Sequence, residues 1–331
     1  MGGHNPVMLA EVLRALAPAD NEIHVDGTFG GGGYANAILS AADCRLIGID
    51  RDLDAIQRAE AIAINNPRLV PLLGRFSEMD ALVEGAGFDG VDGIVLDLGV
   101  SSFQIDEADR GFSFMRDGPL DMRMGQAGPS AADVVNHMAE KDLANVIFRL
   151  GEEKQSRRIA RRITERRKTD HFTGTLDLAN TVEAAVGGRK GAKTHPATRT
   201  FQAIRMYVND ELGQLAQALA AAERILRVGG RLVVVTFHSL EDRIVKNFMR
   251  KRAGLQGAGS RHLPLGKKSP PESFALPSRK AIPPSEAETK ANPRSRSARL
   301  RVAIRTEAPA WDTPVETSPD LPPLNLIEAT T

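Results

Sequence analysis

A single cysteine, Cys44, stands among 331 residues. That excludes an internal disulfide framework and a cysteine-built metal site, and it suits a reducing compartment. Aromatic side chains are scarce at 5 %, with one tryptophan and two tyrosines, so core packing has first claim on most of them. No apolar run approaches the ~20 residues of a membrane span. The first ten residues lack the cationic stretch and apolar run of a secretory signal. A soluble, cytoplasmic protein without a membrane partner is expected. An excess of one charge is missing too: 43 Lys and Arg face 42 Asp and Glu. No cluster of histidines and acids has metal-ligand spacing, so no metal is expected.

What is present is unevenly placed. Fifteen basic and three acidic residues lie between Lys246 and Arg305, and nine against three between Arg149 and Lys168. Such segments are either solvated faces or the electrostatic footprint of a nucleic-acid site. Arg157, Arg158, Arg161 and Arg162 form i,i+4 like-charge pairs on a predicted helix, which repel slightly and would be relieved by phosphate.

Short β-branched runs alternate with helical patterns. Strands are predicted at Glu22–Val25, Arg45–Ile49, Leu69–Leu73, Gly93–Leu96, Arg231–Phe237 and Arg299–Arg305. Helices are predicted at Leu53–Ile64 and at Asp210–Leu226, the latter ending at Gly229–Gly230 as a glycine C-cap would end it. Alternation of this kind implies a parallel sheet covered on both faces. The interval from Asp97 to Arg231 is several times too long for one crossover. Its helix-like stretches, Ser130–Leu150, Glu152–Arg167 and Thr175–Ala185, predict an inserted helical domain between the fourth and fifth strands. Residues 1–104 with 206–305 are then the core, 105–205 the insert and 306–331 a Pro-rich tail expected to be disordered. Gly254 to Pro293 reads as a long irregular loop.

The strongest local feature is Val25–Ala35 (VDGTFGGGGYA), which follows a predicted strand and opens a helix. Glycines allow a sharp turn and close ligand approach, and the helix N-terminus favours polar or anionic groups. Asp50, at the end of the next strand, lies 17 residues past Gly33, near the ~20 expected for a ribose-binding carboxylate. This much fits either NAD or S-adenosylmethionine. Asp26 at the tip of the first strand and Asp97 at the end of the fourth favour the methyl donor, because carboxylates there would repel a pyrophosphate and attract a cation. Asp97 is the candidate acceptor for an amine proton. His238, just past the fifth strand, is either a contact to a base or phosphate or a structural hydrogen-bond partner. Phe103 and Phe237 sit at strand ends where they could stack a splayed base. Ser239 stands where it would cap the next helix, with Glu241 and Asp242 in its first turn.

Six ordered motifs, DLGVSSFQ (Asp97–Gln104), RGFSFM (Arg110–Met115), GPLDMRM (Gly118–Met124), HPATRTFQAIR (His195–Arg205), FHSLEDR (Phe237–Arg243) and NPRSR (Asn292–Arg296), resemble the RsmH (MraW) family, as does His4–Met8 followed by Glu11. The resemblance implies a Rossmann-like α/β class I methyltransferase with an inserted helical domain. It implies S-adenosylmethionine-dependent methylation of the exocyclic 4-amino nitrogen of a cytidine in the decoding centre of 16S rRNA; of free rRNA and the assembled small ribosomal subunit, the subunit is the expected substrate, because a structured pocket would explain the large inserted domain. Cofactor contacts carry over to Gly32, Gly33 and Tyr34, to Asp50 on the ribose, Phe76 beside the adenine, Asp97 and Gln104. Arg199 and Arg205 are the expected RNA contacts. The family usually has histidine where this chain has Tyr34, so a role needing imidazole is in doubt. A homodimer is compatible with the sequence. An amino-methyltransferase acting on DNA is disfavoured, because its Pro-Pro-aromatic signature is missing after the fourth strand. A nicotinamide dehydrogenase would need an acid–base pair for hydride chemistry that is not evident, and a non-catalytic assembly factor would not need Asp26, Asp50 and Asp97 together.

Overall fold

The computed structural model describes residues 6–125, 127–189, 191, 194–255, 270–317 and 321–324. The chain divides into two compact units, Met1–Gly99 with Leu212–Thr317, and Val100–Glu211 with Ser318–Thr331.

The first unit is built on seven strands: β1 (Ile23–Asp26), β2 (Arg45–Asp50), β3 (Leu69–Leu73), β4 (Val91–Asp97), β5 (Leu226–Thr236), β6 (Phe274–Ala275) and β7 (Arg299–Arg305). Their order is β3-β2-β1-β4-β5-β7-β6. The first five are parallel, while β7 and β6 are antiparallel to their neighbours. The architecture is therefore Rossmann-like α/β with a mostly parallel sheet. Central strands read as apolar runs because both faces are covered: Ile94, Val95 and Leu96 of β4, and Leu232 to Val235 of β5, are all inaccessible. Asp52 accepts from the N–H of Asp54 and starts the helix Leu53–Ala63, which crosses from β2 to β3.

Two expectations are corrected here. The helix predicted to run to Leu226 ends at Ile225, and Gly229–Gly230 lie inside β5. Val91 pairs with Leu226, yet Gly93 pairs with Arg231. The extra β5 residues bulge there, with Gly229 at φ +82. A glycine at a bulge and one at a helix C-cap carry the same sequence signal. The second correction concerns the tail. Residues 306–317 were expected to be disordered for want of apolar content, but they are held by polar partners. The Trp311 N–H donates to Glu223 and its indole N–H to the Pro271 carbonyl. The Arg252 guanidinium, almost wholly buried, lies between Phe248 and Trp311 and donates to Glu223 and to the Thr313 carbonyl. Residues 318–320 and 325–331 lie outside the described residues. So do residues 256–269 of the expected irregular loop, whose remainder contains β6 and a short helix, Glu286–Ala291.

The second unit is helical, and no strand occurs among its described residues. Its main helices are Ala131–His137, Glu140–Gly151, Ser156–Arg166, Thr175–Val186 and Thr198–Val208. The single helix expected over Ser130–Leu150 is broken, because Met138 and Ala139 are extended. Ser130 and Asp133 form a reciprocal capping box at its start. The helices Ser156–Arg166 and Thr198–Val208 both pack on Glu140–Gly151.

Candidate active site

The carboxyl ends of β1, β2 and β4 bring three acids to one edge of the sheet, the edge where ligands bind in open α/β folds. Asp26 pairs in register with Val95 and with Gly48. In-register residues of parallel strands project to the same face, and so do alternate residues along one strand. Asp26 and Asp97, two residues past Val95, therefore project to the same face.

The glycine loop between β1 and the helix Gly33–Ala41 is stitched to both neighbouring strands. Gly27 donates to the Val95 carbonyl at 3.0 Å and Phe29 to that of Ile49 at 3.1 Å. Gly30 donates to Asp50 Oδ2 at 2.8 Å, and Asp50 Oδ1 accepts from Asp52 N at 2.9 Å. Gly32 adopts φ +75 as the helix N-cap, a conformation that L side chains rarely take. A Cβ on Gly33 would overlap Cγ of Pro6. Phe76 begins a single turn beyond β3 and lies against Gly27, whose ideal Cβ would stand 3.4 Å from that of Phe76.

Thr28, which the sequence did not single out, links the two acids. Its N–H donates to Asp26 Oδ1 at 3.1 Å, and its Oγ1 accepts from Asp97 N at 2.8 Å. Asp26 Oδ2 and Asp97 Oδ1 are buried with no hydrogen-bond partner among the described residues. Burial pushes the Asp26 carboxyl up to about 7, helped by the charge of Asp50 and opposed by the bonds from Thr28. Burial, with the charges of Asp26 and Glu241, holds Asp97 well above the usual carboxylate range. Asp50 is raised by burial too, against the backbone N–H groups of Asp52, Gly30 and Arg51. Buried, unsatisfied oxygens each cost of order 1–3 kcal/mol, and like charges gathered in low dielectric reinforce that penalty. A ligand bearing positive charge removes it. The sulfonium and ammonium of S-adenosylmethionine fit this corner; a pyrophosphate does not.

Other expected residues fall elsewhere. Tyr34 is buried and its hydroxyl donates to the Val7 carbonyl, so the polar role left open for it is taken by the N-terminal segment. His238 is the N-cap of the helix Ser239–Arg252, its Nδ1 accepting from Leu240 N at 3.3 Å. The cap is thus His238 and not Ser239, and the geometry gives this histidine a structural task. Glu241, buried beneath it, accepts from the N–H groups of Phe237 and His238, both at 3.1 Å. The H-x-x-E spacing of a capping box carried that signal, one residue earlier than it was read. Gln104 belongs to the second unit, where it closes a capping box with Ser101, as do Phe103, Arg199 and Arg205. Arg205 is held in a bidentate pair with Glu211 at 2.7 and 2.8 Å, its side chain only 17 % exposed, which argues against its assignment to RNA. Arg199 is 58 % exposed, with Glu153 at 3.8 Å.

Among the described residues no group of three His, Cys, Asp or Glu could hold a metal, and no helix is long and apolar enough to cross a membrane.

The chain is 68 % identical over 326 residues to the ribosomal RNA small subunit methyltransferase H of Hyphomonas neptunium, covering 98 % of this chain and 95 % of the relative. The protein of the same name from Paramagnetospirillum magneticum is 55 % identical over 312 residues, covering 94 % and 98 %. A solved rRNA methylase from Streptococcus thermophilus superposes with a TM-score of 0.40 at 10 % identity, over 90 % of this chain and 94 % of that one, too remote a likeness to bear on chemistry. The MraW methylase family model matches residues 1–306, both stretches of sheet and the helical unit between them, and this chain belongs to that family.

Proposed function

We propose that this protein methylates the exocyclic 4-amino nitrogen of a cytidine in the decoding centre of 16S rRNA, within the small ribosomal subunit, with S-adenosylmethionine as donor. Relatives named as small-subunit rRNA methyltransferases support the RNA class, and the ordered family motifs support the base and position. The observation that carries the chemistry is the pair of buried, unpartnered oxygens on Asp26 and Asp97 beside the glycine loop.

When bound, S-adenosylmethionine supplies an electrophilic methyl group on a sulfonium. The chain's own residues orient and neutralise. Gly32 and Gly33, which the family resemblance implies, would line the methionine portion. Asp50 keeps lone pairs for ribose hydroxyls while anchoring the loop through Gly30. Asp26 Oδ2, buried and unsatisfied, would accept from the cationic end. Phe76, against Gly27, is an apolar surface for the adenine. Gln104 is kept as a cofactor contact on the resemblance alone. A cytosine amine is a poor nucleophile because its lone pair is delocalised into the ring. Asp97 Oδ1, accepting an N–H from that amine, localises the pair and is the first acceptor for the proton released after transfer. Alignment of this kind contributes up to roughly 7–11 kcal/mol in ideal cases.

Transfer of labelled methyl from S-adenosylmethionine to unmodified small subunits tests the reading. Wild type is expected to label one cytidine, and Asp97→Asn to lose about a hundredfold or more in kcat measured at saturating cofactor. Undiminished transfer by Asp97→Asn would remove Asp97 from the chemistry.

A further inference from the structure

The nine basic residues between Arg149 and Lys168 divide into two sets. Three are engaged within the fold. Arg161 pairs with Glu165 at 3.0 Å, Arg166 with Asp177 at 2.9 Å, and Arg167 donates to the carbonyls of Val135 and Met138, both at 2.8 Å. The other six, Arg149, Lys154, Arg157, Arg158, Arg162 and Lys168, are exposed and have no partner among the described residues. On the helix Ser156–Arg166 the division follows the period: Ile159, Ala160 and Ile163 are buried, and Arg157, Arg158 and Arg162 stand outward. The acids nearby are few. Glu165 is occupied by Arg161, Asp170 faces Arg166 at 3.8 Å, and Glu153 accepts from the Gln155 N–H and faces Arg199.

A second observation adjoins this patch. Phe148 is 54 % exposed on the helix Glu140–Gly151, although Leu143, Val146, Ile147 and Leu150 of that helix are buried. Residues 152–155 alone join the two helices, so Phe148 and Arg149 stand at the same end of the helical pair as Arg157 and Arg158. A phenylalanine left half in water forgoes part of its burial, in a chain with few aromatics. Uncompensated cations on the same helical pair as an open aromatic ring match the chemistry of a nucleic-acid strand with unpaired bases, where phosphates take the cations and a base takes the ring.

We infer that the helical pair Glu140–Gly151 and Ser156–Arg166 is a docking face for single-stranded RNA, with Arg149, Arg157, Arg158 and Arg162 on phosphates and Phe148 stacked on an unpaired base. The inference rests on the proposed rRNA substrate for the identity of that strand. It places the RNA contacts on residues other than Arg205, which Glu211 already holds.

Filter binding of the full chain to 16S rRNA over a salt series reads this face directly, and methyl transfer to small subunits by the wild type is measured beside it. The triple variant Arg157→Gln, Arg158→Gln, Arg162→Gln is expected to reduce the slope of log affinity against log salt by about 2, at roughly 0.7 per phosphate contact. Phe148→Ala is expected to weaken binding about fivefold or more. Both variants should keep wild-type affinity for S-adenosylmethionine. Arg14→Gln with Arg45→Gln, which removes exposed charge from the first unit, should leave the slope near the wild-type value. A triple variant with an unchanged slope, or a charge control that lowers the slope as much per residue, overturns the docking face. Wild type that binds rRNA with the predicted salt response but transfers no methyl group to small subunits would overturn the proposed function and leave the face standing.

Discussion

Asp26 and Asp97 set the pH behaviour of the cofactor site. The ligand-free Asp26 carboxyl titrates at about 7, against 3.8 for the same group in an unfolded chain. Between those values the native state holds a proton that the unfolded state has lost. Stability of the ligand-free protein therefore falls as pH rises from about 4 to about 7 and levels off above. Asp97, raised for the same reason, acts in the same direction. Binding a cation reverses the requirement, because it needs the carboxylates ionised. Calorimetric titration of S-adenosylmethionine is expected to give an affinity that rises with pH through about 7, by up to about tenfold per pH unit for each carboxylate that must ionise. Asp26→Asn should raise the melting temperature of the free protein at pH 8 while weakening the cofactor. An affinity flat from pH 5.5 to 8.5 would contradict the electrostatic account. These acids were legible in the sequence because each ends a predicted strand. The fate of Tyr34 was not, since its hydroxyl is used by Val7, 27 positions away in the chain, and only the folded path of the N-terminal segment brings them together.

Elements were legible where one signal dominated. Leu69–Leu73 and Arg299–Arg305 were predicted to the residue, the first as a short apolar run closed by Gly74 and the second as an alternating pattern. They were misread where one residue type serves two purposes. Gly229 bulges β5 instead of capping a helix, and Gly229→Ala is expected to destabilise the fold by roughly 1–2 kcal/mol, seen as a lower denaturant midpoint, because φ +82 is strained for alanine. His238 caps the helix Ser239–Arg252 with Glu241. His238→Ala should cost about 1 kcal/mol of stability and His238→Asn, itself a good N-cap, should restore it. If methyl transfer by the Asn variant, assayed on small subunits, stays more than a hundredfold below wild type although stability has recovered, the histidine has a chemical task beyond the cap.

At the scale of the whole molecule, a buried ionic cluster fastens residues 306–317 to the sheet unit. Glu223 and Arg252 are each 1 % exposed, and Glu223 also accepts from Ser273 and from Trp311 N. Removing one charge of such a pair leaves the other buried and unpaired, so Glu223→Ala is expected to lose about 3–5 kcal/mol in equilibrium unfolding. Composition alone pointed to disorder here, because the anchor is one tryptophan and a set of partners contributed by distant parts of the chain. The inserted helical unit, by contrast, was legible as an interval without strands. It holds an exposed basic face, the sheet unit holds a cation-seeking corner, and each unit can be tested by its own ligand.

Mass spectrometry of nucleosides from small-subunit rRNA, in cells with and without this gene, tests the central claim most directly. Loss of a 4-amino-methylated cytidine is predicted, restored by the wild-type gene and not by Asp50→Ala. A nucleoside profile unchanged by deletion would contradict the assignment of the methyl group to this base.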